Sequence, residues 1–233
     1  MPDVSRAFFR LDMPTPPEAD LVAFARSVFA DLDRTAEKLL PFPDYDLYVA
    51  VEEGSVKGGA KVWVTAGALY VAIGQFGSFI QGVREISALG RSVATRVINQ
   101  VADDPRAGGA RVRWSRRDSG AVRQIERLFE KVRDRELTPE EAVQRTLELF
   151  DDHTTELPAK AEEEIHRAFY SVQRHPEQLL LPLEVAQEPD HAPVPPHRPS
   201  IPRDRPLLVD PRLLVEIRRN GKNGQTQMRT LYR

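Results

Sequence analysis

Arg111, Arg113, Trp114, Arg116 and Arg117 fall within seven consecutive positions and carry the chemistry most readily read from this chain. Guanidinium groups bond phosphate oxygens, and an indole face stacks on bases. The cluster, with Arg106 just before it, predicts contact with nucleic acid or another anion. The opposing reading is a solvated surface, since Asp118 is adjacent and acids recur after it. The net charge of −2 supplies no overall field toward a polyanion. A second basic group closes the chain: Arg218, Arg219, Lys222 and Arg229, flanked by Arg212 and Arg233, stand against Glu216 alone. These four are the expected contacts of the tail with a partner.

Other reactive constellations are sparse. The chain has no cysteine, which removes disulfides, thiolate metal sites and a cysteine nucleophile. The five histidines are scattered. Asp151, Asp152, His153 and Glu156 offer hard-cation ligands at a helix end, where a solvated terminus is the competing reading. Glu52 and Glu53 end a strand, but adjacent strand positions point to opposite faces and do not form a carboxylate pair. The glycines after them lack phosphate-loop spacing. No H-E-x-x-H, G-x-S-x-G or D-x-D-x-D-G pattern occurs. No catalytic residue, cofactor or metal is assigned, and an enzyme is not the expectation.

The elements that must position these residues follow from periodicity. Ala7 to Met13 reads as a strand, stopped by Pro14, Pro16 and Pro17. Leu21, Phe24, Val28, Leu32, Ala36 and Leu39 mark one face of a helix opened by Glu18 and Asp20. Tyr45 to Val51 is the next strand. Strand–helix–strand order predicts a parallel pair joined by a crossover. Ala60 to Val64 supplies a third strand.

Val62 to Val83 then runs 22 residues without a charge. Thr65 caps a helix over 66–83 that continues to Val101. On that helix Gly67, Gly74, Ser78 and Gly82 form a ridge of small side chains on which another backbone could close. The run is long enough to contact or cross a bilayer. Gln75, Gln81 and the basic residues after it oppose a simple span. Both readings, buried helix and membrane contact, stay open here. The absence of a signal-like N-terminus adds the expectation of a cytoplasmic protein, with membrane association as the alternative.

A turn at 103–109 separates this part from a short strand at 110–114 and three helices, running to about Arg135, from Thr138 to about Asp151, and from Pro158 to Arg174. Thr138-Pro139-Glu140-Glu141 is a complete helix start. Prolines dominate from Pro182 to Pro206 and mark a linker. Leu213 to Arg219 and Gln225 to Tyr232, around two Asn-Gly pairs, predict a hairpin able to add to a sheet in this chain or in a partner. The expected organisation is α+β: a domain over 1–104, a helical unit over 105–178, a linker over 179–206 and a basic hairpin tail over 207–233.

The stretch YDLYVAVEEGSVKGGAKVWV resembles a pattern in poorly characterised bacterial proteins, in which a strand–helix–strand unit ends in E-G-S-[VL]-K and leads into a small-residue apolar helix. The resemblance covers about 7–91 and implies a bacterial source without an activity. The leading functional expectation is a non-enzymatic assembly protein that uses the small-residue helix for close packing and the hairpin for a protein partner or a second copy. Membrane insertion of 62–83 and nucleic-acid binding through the arginine cluster and tail are the alternatives.

Overall fold

The computed structural model describes residues 1–12, 17–53, 56–105, 111–150, 157–172 and 212–232. The fold is α+β. Strands are β1 (Asp3–Asp12), β2 (Asp46–Glu52), β3 (Lys57–Trp63), β4 (Arg111–Asp118), β5 (Leu213–Arg219) and β6 (Thr226–Tyr232). Helices are α1 (Glu18–Leu39), α2 (Ala66–Gly74), α3 (Phe79–Asp103), α4 (Gly120–Arg133), α5 (Pro139–Phe150) and α6 (Ala159–Tyr170). The strands form one sheet in the order β4-β1-β3-β2-β5-β6, every neighbouring pair antiparallel.

The expected parallel pairing of the first two strands is corrected. β1 and β2 run in the same direction, but β3 lies between them, antiparallel to both. β2 ends at Glu52 and β3 begins at Lys57, so that pairing is local in sequence. α1 therefore crosses over a strand position that β3 fills.

Alternation along the strands separates two faces. Ala7, Phe9 and Leu11 of β1, Leu47, Val49 and Val51 of β2, Ala60 and Val62 of β3, and Val215 and Ile217 of β5 are buried beneath the helices. Phe9 meets Phe24 of α1 edge-on at 6.3 Å between ring centres. Phe129 of α4 stacks on Phe169 of α6 at 4.0 Å. Full burial of one such ring is worth about 1.5–3 kcal/mol.

The expected single helix beyond Thr65 is also corrected. It breaks after Gly74, and a new helix starts at Phe79. Gly77 turns the chain at a φ of 84°, open to glycine at little cost. The Ser78 hydroxyl then accepts a bond from the Gln81 amide at 3.3 Å, capping α3. The small residues do permit close approach, but inside the chain. A Cβ on Gly82 would overlap the Ile73 carbonyl at the end of α2, and one on Gly90 would overlap the Val4 carbonyl of β1. Ser5 fixes that second contact by donating to the Gly90 carbonyl at 2.9 Å.

Thr138 and Glu141 form the expected reciprocal cap of α5, with amide-to-side-chain distances of 3.3 and 3.2 Å. The hairpin β5–β6 joins the same sheet, with β5 paired along β2. Among the described residues no helix is long and apolar enough to cross a membrane.

Candidate functional site

The second face of the sheet carries no helix among the described residues, and cross-strand register decides which side chains meet there. In a first row, toward the C-terminal end of β1, Trp114 of β4 lies opposite Arg10 of β1, which lies opposite Lys57 of β3. The next row sets Arg116 beside Phe8 and Gly59, followed by Ala50 of β2. A third row sets Asp118, Arg6, Lys61 and Tyr48 side by side. Directly opposed side chains on one face have Cβ atoms about 5 Å apart. Residues remote in sequence thus form a small field of cations and rings.

A cavity of about 620 Å³ opens at the first row, lined by Phe8, Phe9, Arg10, Lys57, Gly58, Arg113 and Trp114. Its three charged lining groups are all cations. The register shift between Arg10 and Leu11 leaves Arg113 as the additional residue on β4 and turns this edge. Trp114 is 54% exposed. The Arg10 Nε is buried without a hydrogen-bond partner, and no ion pair reaches Arg10, Lys57 or Arg113 among the described residues. Nearby acids are largely engaged or offset. Glu52, opposite Lys57, sits 3.5 Å from Arg212, and Asp12 lies opposite Arg111.

The centre of the face is lower. Gly59 offers no side chain, and the Phe8 ring fills the space beside it at 3.2 Å from where a Cβ would sit. Lys61 Nζ lies 6.0 Å from the Phe8 ring centre and 5.7 Å from that of Trp63. Trp63 and Tyr48 are 5.9 Å apart. Ammonium over ring faces is favourable and holds Lys61 flat across the sheet.

The residues anticipated from sequence are distributed unevenly. Trp114 and Arg113 line the cavity. Arg116 is on the same face but lies 3.2 Å from Asp118. Arg111 is at the strand start, and Arg117 lies opposite Ala7, on the other side of the pleat. Arg106 and the group Asp151, Asp152, His153 and Glu156 lie outside the described residues, as does the proline-rich stretch.

Phe8, Arg10 and Lys57 escaped the sequence reading. The alternation of AFFRLDM puts Phe8 and Arg10 on one face, but only the strand order places Lys57 and Trp114 beside them.

The tail residues also divide. Arg219 is 8% exposed and bonds Asp33 of α1 through both terminal nitrogens at 2.6 Å. Lys222 reaches Glu37 of α1 at 2.9 Å. Arg218 donates to Asn220 at 2.7 Å, and Arg229 sits on the outer strand. Of the ridge residues, Gly67 and Gly74 belong to α2, Ser78 caps α3 and Gly82 lies within α3, so the four do not share one helix.

Gly74 and Ser78 instead line a second cavity, of about 540 Å³, between the α2–α3 elbow and α6. Its Glu164 accepts from the Tyr70 hydroxyl at 2.5 Å. Burial, then this bond, push the Tyr70 phenol up to about 12.

Among the described residues no group of histidine and carboxylate side chains has metal-binding geometry. No family model matches the chain, and neither the curated proteins nor the solved structures compared with it yield a significant match.

Proposed function

We propose that the protein binds single-stranded nucleic acid across the uncovered face of its sheet. One observation carries this reading: Arg10, Lys57 and Arg113, without ion-pair partners among the described residues, share a cavity with the exposed ring of Trp114. Single strands are held by cations that follow the phosphates and by rings on which bases stack. The first row supplies the cations and one ring. Phe8 of β1, two residues before Arg10 and beside Gly59 and Ala50, offers another ring. The overall charge of −2 gives no long-range attraction, so binding rests on this local field and weakens steeply with salt.

The test is anisotropy of a labelled single-stranded oligonucleotide against salt concentration. Three phosphate-contacting cations predict a slope of log K against log salt of about −2. Lys57→Glu combined with Arg113→Glu should abolish binding while leaving the circular dichroism spectrum unchanged. Failure to bind at low salt, or equal binding by the double variant, rejects the reading.

The assembly reading draws support from a different place. The close contacts of the small residues lie within the chain, at Gly82–Ile73 and Gly90–Val4. The outer edge of the hairpin has no neighbouring strand among the described residues.

A further inference from the structure

The two edges of the sheet are built differently. β4 carries Arg111, Arg113, Arg116 and Arg117, with a register shift against β1. Charge and irregularity of this kind discourage another strand from pairing. β6 reads TQMRTLY, pairs with β5 without a register shift, and has one charge and no proline. Seven large hydrophobic residues are exposed among those described, and three of them, Met228, Leu231 and Tyr232, lie on this strand. An even edge with one charge, no proline, three exposed hydrophobes and no neighbouring strand among the described residues is a template for strand addition.

We infer that the occupant of this edge is β6 of a second copy, paired antiparallel about a two-fold axis at Thr230. Pleat parity limits the registers. Met228, Thr230 and Tyr232 face the helices, being opposite Ile217, Val215 and Leu213; Gln227, Arg229 and Leu231 face the other way. A two-fold axis perpendicular to the sheet keeps each face continuous, so only residues of like parity can oppose.

An axis at Arg229 would set two arginines directly opposite, which is unfavourable. Moving it one residue to Thr230 sets Arg229 against Leu231 of the other copy and Met228 against Tyr232 of the other copy. Each exposed hydrophobe then gains a cross-strand partner, and the arginine stem lies along a leucine. The two sheets become one, with the helices of both copies on the same side. This arrangement is independent of the nucleic-acid reading, because the edge is at the opposite end of the sheet from Trp114.

The absence of cysteine allows a clean test. Thr230→Cys, on the full chain under mild oxidation, should form a disulfide dimer. Gln227→Cys, displaced from its own copy by about six residues or 20 Å along the strand, should not. Light scattering should give the mass of two chains. Met228→Lys with Leu231→Lys should return it to one chain, with an unchanged circular dichroism spectrum. A monomer at every concentration, or cross-linking of Gln227→Cys equal to that of Thr230→Cys, overturns the inference. So does a dimer that the double lysine variant leaves intact.

Discussion

Arg219 of β5 and Asp33 of α1 are 186 residues apart and joined by two hydrogen bonds of 2.6 Å. The pair clamps the hairpin to the first helix. Tyr45 completes it, donating to Asp33 at 3.4 Å with its ring 5.8 Å from the guanidinium carbon. Arg219→Ala should therefore cost about 2 kcal/mol in urea unfolding, in the range for hydrogen bonds to charged groups. Lysine cannot reproduce the two-pronged bond and should recover less than half of that loss.

The same cluster sets an alkaline limit. Burial, and then the charge of Asp33, push the Tyr45 phenol up to about 12 from 10.0. A raised folded-state value favours the protonated form in the fold. That contribution is complete below pH 10 and is lost as pH rises toward 12. Tyr45→Phe should flatten stability over this window, read by unfolding midpoints at increasing pH.

An acid limit lies at Glu126. Burial pushes its carboxyl up, but bonds from Arg123 and Ser87, with the arginine charge, outweigh burial and leave it below the ordinary value of 4.5. A lowered value stabilises the fold above pH 4.5, and the contribution fades as pH falls below that. Glu126→Gln should be less stable at neutral pH and less sensitive to acid than the parent. Chemical unfolding at pH 7 and pH 3 checks both.

Glycine substitutions in the small-residue run should have opposite signs. A Cβ at Gly74 meets nothing within 4 Å, whereas one at Gly82 meets the backbone of Ile73. Gly74→Ala should stabilise by about 0.5 kcal/mol, the propensity gain at a helix end. Gly82→Ala should destabilise by about 1–3 kcal/mol, the cost of overpacking. Thermal melts of the two variants against the parent decide this.

On the uncovered face, Trp114→Ala should weaken single-strand binding by about 1–3 kcal/mol, the range for loss of one stacked base. Folding should be unaffected, since the ring is exposed. Arg10→Ala should lower the salt slope by about 0.7, the share of one phosphate contact. A variant at Arg117, on the other side of the pleat, should change neither.

The sequence by itself determined what depends on neighbours along the chain. Periodicity placed Leu21, Phe24, Val28 and Leu32 on the buried face of α1, and Thr138 with Glu141 at the start of α5. The break after Gly74 was also locally encoded, by Gly77 followed by the capping Ser78, but the long apolar pattern obscured it. Tertiary structure decided everything that rests on strand order. β3 and β4 flank β1, and this sets Lys57 and Trp114 on either side of Arg10. Asp33 meets Arg219 only because β5 pairs with β2 beneath α1. These contacts are held by long-range pairing across closed loops, whose register is written in no single segment.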